Sequence, residues 1–99
     1  MSQEIDEIIK RITSHRGVKG AIVMNSEGIP IRTTLEKDLA THYAALISHL
    51  THEGCKLVNS TSGGKDDLKF LRIRNNKHEI MVAPEGKYVL VVIQEPSVE

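Results

Sequence analysis

Aromatic residues are scarce in this sequence, which has no tryptophan and only Tyr43, Phe70 and Tyr88. A hydrophobic core must therefore be built from aliphatic side chains. Cys55 is the single cysteine, so no disulfide can form within the chain, as in most proteins of reducing compartments. No apolar run approaches the roughly 20 residues that span a bilayer, and the acidic first residues lack the apolar core of a signal peptide. We therefore expect a cytoplasmic protein with no membrane insertion.

An excess of charge is also missing, because 13 lysines and arginines balance 13 aspartates and glutamates. Binding to nucleic acid normally requires a basic face, so we expect no nucleic-acid partner. The 99 residues allow one domain, which we predict over residues 1–99 with a flexible tail at 96–99. A domain of this size buries only about two-thirds of its unfolded surface. Association with other chains is a common way to add stability.

Two segments carry the apolar spacing of amphipathic helices. The first is predicted over residues 3–15, with one stripe formed by Ile5, Ile8, Ile9 and Ile12. The second is predicted over residues 39–53, with Asp38 as its N-cap. Gly54 is a candidate for its end, and the alternative is an extension by one turn over residues 55–57. Its buried stripe is predicted to consist of Leu39, Tyr43, Leu46, Ile47 and Leu50.

Five strands are predicted, at residues 18–24, 29–34, 68–74, 78–83 and 88–94. Short turns between neighbouring strands make the hairpins antiparallel. The first and fifth strands are apolar on both faces, so both faces must be covered and these strands belong at the centre. Pro30 cannot donate to a strand ladder, which places the second strand at an edge. The pattern predicts an α+β fold, α-β-β-α-β-β-β, with a five-stranded antiparallel sheet of order 2-1-5-4-3 flanked by helices.

The third strand should form the other edge of the sheet, and only the charges of its side chains protect it. An unprotected edge invites another strand, and pairing with a second copy would close it by two-fold symmetry. We therefore predict a homodimer whose interface includes Leu68, Phe70, Arg72 and Arg74. On the second helix, the residues that face away from the predicted buried stripe would join this interface: His42, Ala45 and His49. The alternative is a monomer whose edge charges suffice.

No group of residues with catalytic chemistry converges in the sequence. His49, His52 and Cys55 could suggest a zinc site, but their spacing sweeps around a helix and no fourth ligand is evident. The run at 62–65, Ser-Gly-Gly-Lys, departs from a phosphate-binding loop, because Asn59 and Asp66 stand where that loop needs glycine and serine or threonine. We expect a binding protein that is not an enzyme and has no metal and no cofactor.

One face of the sheet should remain partly uncovered. The first helix is only about 18 Å long at 1.5 Å per residue, which is too short to cover five strands. An amphipathic helix from another chain could cover the remaining apolar residues. The candidates for this contact are Leu71, Ile73 and Met81 on the strands, with Ile5 and Ile9 on the helix. The alternative role for these side chains is ordinary core.

Three segments resemble the roadblock-type dynein light chains. They are Asn-Ser-Glu-Gly-Ile-Pro-Ile-Arg at 25–32, the stretch at 68–84 that contains Leu-Lys-Phe-Leu-Arg-Ile-Arg and Glu-Ile-Met-Val-Ala-Pro, and Tyr-Val-Leu-Val-Val-Ile-Gln-Glu-Pro at 88–96. The likeness spans nearly the whole chain, in order and with similar spacing. The Gly-rich loop at 62–65 and the histidine-rich helix at 41–52 depart from the pattern.

The resemblance implies a roadblock/longin/profilin-like fold without catalytic residues. It implies a dimer, homodimeric or formed with a paralogue, that joins through the third strand and the second helix into a ten-stranded sheet. The implied partner is the intermediate chain of cytoplasmic or axonemal dynein, bound through a helical segment. The implied setting is microtubule-based transport in the cytoplasm, the cilium or the axoneme. More distant relatives bind or regulate small GTPases, so a scaffold or regulator of a GTPase is the alternative function.

Overall fold

A five-stranded antiparallel sheet lies between two helices in the structure, a computed structural model that describes residues 2–96. The strand order is β2-β1-β5-β4-β3, as predicted. The residues 97–99 of the predicted tail lie outside the described part. In chain order the elements are α1 (Ser2–Thr13), β1 (Val18–Asn25), β2 (Pro30–Thr33), α2 (Lys37–Thr61), β3 (Leu71–Arg74), β4 (Glu79–Glu85) and β5 (Tyr88–Gln94).

The strand β1 has side chains buried on both faces, whereas β5 is buried on one face and half-buried on the other. Ile22 on β1 is in register with Val91 on β5, and Val91 is in register with Val82 on β4. All three are fully buried and pack in one cluster with residues of α2. The neighbouring residues along the strands alternate to the other face, where α1 lies over β1 and β2. The sheet therefore has an α1 face and an α2 face.

The helix α2 spans 25 residues and starts two residues earlier than predicted. It continues past Gly54, as the alternative prediction allowed, and extends beyond residues 55–57 to Thr61. Its N-cap is Glu36, whose carboxylate accepts hydrogen bonds from the backbone N–H groups of Asp38 at 3.0 Å and Leu39 at 3.3 Å. Gly54 serves close packing rather than termination. A Cβ at this position would come within 3.2 Å of Leu71 Cδ1 and 3.3 Å of Leu68 Cδ2. The absence of a side chain lets α2 lie directly against the entry to β3.

The buried stripe of α2 was also predicted wrongly. The side chains that face the sheet are Ala40, Ala44, Ile47 and Thr51, whereas Leu39, Leu46 and Leu50 are exposed. Of the predicted stripe only Ile47 is buried, and Tyr43 is half-buried. Small residues face the sheet because α2 passes close to it at the turn between β1 and β2. There a Cβ on Gly28 would lie 2.7 Å from Ser48 Cβ.

The third strand is shorter than predicted and begins at Leu71 rather than Leu68. Its register with β4 pairs Leu71 with Val82 and Arg74 with Glu79. Leu68 instead lies half-buried against Gly54 of α2. The edge position of β3 is confirmed by the strand order.

Candidate protein-binding surfaces

Exposed apolar side chains are concentrated on one side of the domain. Leu39, Leu46, Leu50 and Leu57 follow one another along α2 at intervals of seven, four and seven residues, so they share one side of the helix. We call this set the leucine stripe. Their exposed fractions are 44%, 59%, 38% and 64%. Among the described residues, the other exposed large apolar side chains are Ile29, Phe70 and Ile73.

The leucine stripe is continuous with the edge of the sheet at β3. Leu50 and Leu57 lie one helical turn before and after Gly54, and Gly54 is the point where Leu68 and Leu71 approach α2. Ile73 lies within β3 on the α2 face of the sheet, and Phe70 directly precedes β3. An apolar surface therefore runs from α2 onto an edge strand with unpaired backbone groups.

The structure places the predicted dimer residues at several positions. His42 and His49 are exposed, each within one turn of Leu46, and Ala45 is exposed one turn before His49. Phe70 is half-exposed at the entry to β3, and Leu68 is packed against α2. Sequence reasoning missed the leucine stripe as a surface, because it assigned these leucines to the core. The spacing of the small residues Ala40, Ala44 and Thr51 was the available signal.

Arg72 and Arg74 lie on the opposite face of the sheet, where they share one buried carboxylate. Glu79 accepts hydrogen bonds from Arg72 Nε at 2.7 Å and from the second guanidinium nitrogen of Arg72 at 3.1 Å. It also accepts from Arg74 Nε at 3.3 Å and from Gln94 Nε2 at 3.1 Å. The side chain of Glu79 is 2% exposed, whereas those of Arg72 and Arg74 are 52% and 48% exposed. The group thus carries one buried negative charge and two half-exposed positive charges.

The hydrogen bond from Arg72 is the main reason that the pKa of Glu79 lies below its ordinary value. Burial opposes this shift, while the amide of Gln94 and the charges of both guanidinium groups support it. The same hydrogen bond raises the pKa of Arg72. Sequence reasoning missed this carboxylate. The signal was its position in the β3–β4 hairpin, where register places Glu79 opposite Arg74.

Replacing Glu79 with glutamine is expected to destabilise the fold at neutral pH and to have little effect in acid. A carboxylate with a lowered pKa in the folded state adds stability above its unfolded pKa, near 4.3, and this stability is lost as the pH falls through the folded pKa. Urea unfolding of both proteins between pH 7 and pH 3 measures this effect. The difference between them should shrink steadily below about pH 5. A difference that is constant with pH would show that the charge of Glu79 has no role.

A shallow apolar strip lies beside Glu79 on the α1 face. Its floor is half-buried, and α1 packs mainly against β1 and β2. The floor residues, which register places on this face, are Met81, Ala83, Leu90 and Val92. We call this surface the α1-face groove. Of the predicted partner-contact residues on the strands, Met81 lies on the α1 face, whereas register places Leu71 and Ile73 on the α2 face. On α1, Ile5 is buried and Ile9 is half-buried.

A crevice of about 640 Å³ is lined by residues of α2, of the β1–β2 turn and of the β4–β5 turn. The hydroxyl of Thr51 borders it and is buried without a hydrogen-bond partner in the described part of the chain. His49, His52 and Cys55 line its rim, and all three are exposed. Within residues 2–96, no three histidine, cysteine, aspartate or glutamate side chains are arranged to hold a metal ion. In the same range, no helix combines the length and the apolar character needed to cross a membrane.

Comparison with known proteins identifies the family of the chain. The model of the Roadblock/LC7 domain matches residues 4–95. A solved Roadblock/LC7 domain from Streptomyces avermitilis superposes with a TM-score of 0.74 at 19% identity, over 91% of this chain and 73% of that chain. MglB of Myxococcus xanthus superposes with a TM-score of 0.79 at 17% identity, over 97% of this chain and 79% of that chain. An MglB with tetrameric arrangement superposes with a TM-score of 0.76 at 12% identity, over 94% of this chain and 71% of that chain. The chain therefore belongs to the Roadblock/LC7 domain family.

Proposed function

We propose that this chain is a non-catalytic light-chain subunit of a dynein motor that homodimerises and binds a helical segment of the dynein intermediate chain. The observation that carries the proposal is the leucine stripe, which continues onto the open edge of β3. Apolar patches of this kind on small domains mark contact surfaces. The chain would work in the cytoplasm on microtubules, or in the cilium or axoneme, and support motor assembly and cargo attachment.

Dimerisation would cover the exposed leucine stripe and pair the open edge of β3 in one step. Antiparallel pairing of β3 with β3 of a second copy would join two five-stranded sheets, and the two-fold symmetry would bring the α2 helices together on one face. The leucine stripes would then cover each other. A paralogue with the same surface could replace one copy. The MglB with tetrameric arrangement is a precedent for association of this fold.

The intermediate chain is proposed as partner because of the resemblance to roadblock-type light chains at residues 25–32, 68–84 and 88–96. The α1-face groove offers a surface that a helix could cover. The second candidate is a scaffold or regulator of a small GTPase. Distant relatives of the roadblock-type light chains bind or regulate small GTPases, and the solved structures described above are bacterial Roadblock/LC7 and MglB proteins rather than motor subunits.

A binding experiment separates the two candidates. The wild-type chain is immobilised and offered, in separate reactions, purified dynein intermediate chain and a panel of small GTPases in both nucleotide states. We expect saturable binding of the intermediate chain and no binding of a GTPase that depends on its nucleotide. The reverse result would establish the second candidate. Binding of neither class would remove both partner assignments and leave only the dimer.

A further inference from the structure

The α1-face groove and the arginines beside it define the chemistry of the partner. We propose that the groove binds an amphipathic helix that lays apolar side chains on Met81, Ala83, Leu90 and Val92 and places acidic side chains against Arg72 and Arg74. The inference deepens the proposed function, because it assigns a surface and a charge pattern to the bound segment, and it rests on the proposed dimer for its symmetry.

The size of the groove fits one helix. Neighbouring strands of a sheet lie about 4.8 Å apart, so the distance from β5 across β4 to β3 is about 10 Å. Packed helices lie about 8–10 Å apart, and α1 already occupies the part of this face over β1 and β2. A second helix beside α1 would therefore cover the half-buried floor completely.

The positive charge of Arg72 and Arg74 at the border of the α1-face groove favours binding of a helix with acidic side chains. Glu79 is 2% exposed and is fully engaged with Arg72, Arg74 and Gln94, so it cannot contact a partner. The guanidinium groups remain about half exposed and keep unused N–H donors. The border thus presents a net positive charge in a rigid position, and a carboxylate is its natural complement.

Two-fold pairing of β3 would double this charge. The arginines of both copies would lie on the same face of the continuous sheet, next to the symmetry axis, because β3 contains only residues 71–74. Like charges opposite each other on neighbouring strands are destabilising. Acidic side chains from a bound helix would relieve this repulsion, so the bound helix should also strengthen the dimer.

The test uses designed peptides that come from no motor protein. An amphipathic helix of about 18 residues, about 27 Å long, is made with glutamates along one border of its apolar face, and a matched peptide has lysines there. Each is titrated into isotopically labelled chain, and the amide chemical shifts of the chain are followed. The glutamate peptide should shift amides of β4 and β5 and bind at least about tenfold more tightly than the lysine peptide, as two or more charge pairs allow.

Variants of the chain locate the contact. Arg74→Gln should weaken binding of the glutamate peptide about fivefold, while Arg72 keeps its paired contact with Glu79 and the fold. Lys77→Gln is the matched control, because it removes the same charge from the exposed turn of the same hairpin and should change the affinity less than about twofold. Met81→Gln, on the floor, should weaken both peptides alike. Because Arg74 is also a predicted dimer contact, peptide affinities are compared at chain concentrations at which light scattering shows every variant to be dimeric.

Several results would overturn the inference: equal affinity for the two peptides, equal effects of Arg74→Gln and Lys77→Gln, shifts confined to the leucine stripe, or no shifts at millimolar peptide. None of these results depends on whether the dynein intermediate chain binds. Failure of the intermediate chain to bind would refute the proposed partner, whereas failure of the glutamate peptide would refute this surface.

Discussion

The double variant Leu46→Asp, Leu50→Asp is expected to be a folded monomer at concentrations where the wild-type chain is a dimer. Both leucines are exposed in the single domain, at 59% and 38%, so aspartate at these positions leaves the core intact. In the dimer, each change occurs twice across the symmetry axis and buries unpaired charges. We expect the dimer dissociation constant to rise by more than about a hundredfold, equivalent to about 2.7 kcal/mol.

Sedimentation equilibrium measures this constant directly, and Ile29→Asp is the matched control. Ile29 is an equally exposed large apolar residue, at 56%, but it lies in the turn before β2 at the opposite edge of the sheet. The control should dimerise like the wild type. A double variant that dimerises normally would show that the leucine stripe lies outside the interface, and equal weakening by Ile29→Asp would show that any added charge has this effect.

Replacing Gly28 with alanine is expected to cause the largest loss of fold stability that we predict, about 2–4 kcal/mol from backbone strain and overpacking together. The φ angle of Gly28 is +84°, a region that residues with a Cβ disfavour. The new Cβ would also lie 2.7 Å from Ser48 Cβ and 2.8 Å from Ser48 Oγ. Relief of this clash requires α2 to move away from the sheet. Thermal unfolding should show a decrease in Tm of more than about 10 °C.

Gly17→Ala separates the two contributions. Gly17 has nearly the same φ angle, +87°, but a Cβ there would meet nothing within 4 Å. This control should lose only the cost of backbone strain, about 1–2 kcal/mol. If both variants lost the same stability, the close approach of α2 to the β1–β2 turn would carry no cost, and our explanation of the small residues on α2 would be wrong.

The sheet could be predicted because its signals are local and unambiguous. Strands that are apolar on both faces belong at the centre, and Pro30 belongs at an edge, so the strand order followed from these two facts. The bounds of β5 were also predicted correctly. These features depend on backbone hydrogen bonding and on burial within one chain, which the sequence pattern reports directly.

The helix α2 could not be read in the same way, because it carries two apolar stripes. The bulky stripe of Leu39, Leu46 and Leu50 looked like the core side, but the small stripe of Ala40 and Ala44 faces the sheet. Periodicity shows which sides of a helix are apolar. It does not show whether an apolar side packs against the sheet of the same chain or against a second chain. Whether Gly54 ends the helix was left open for a related reason, since its role is a tertiary contact with Leu71.

The candidate site was predictable only in part. The edge position of β3 followed from the strand order, and of the three predicted strand contacts only Met81 lies on the α1 face. Leu71 and Ile73 lie on the α2 face because of the register of β3 with β4. A shift of one residue in this register would place both side chains on the α1 face. The buried carboxylate of Glu79 depends on the same register. Long-range register is the information that the sequence pattern lacks.

The mass of the wild-type chain in solution tests the central claim most directly. Sedimentation velocity over a concentration series from nanomolar to millimolar should show a species of twice the 11.0 kDa chain mass that dissociates only on strong dilution. A single species of 11.0 kDa up to millimolar concentration would contradict the account, because the leucine stripe and the β3 edge would then be stable in water without a second copy.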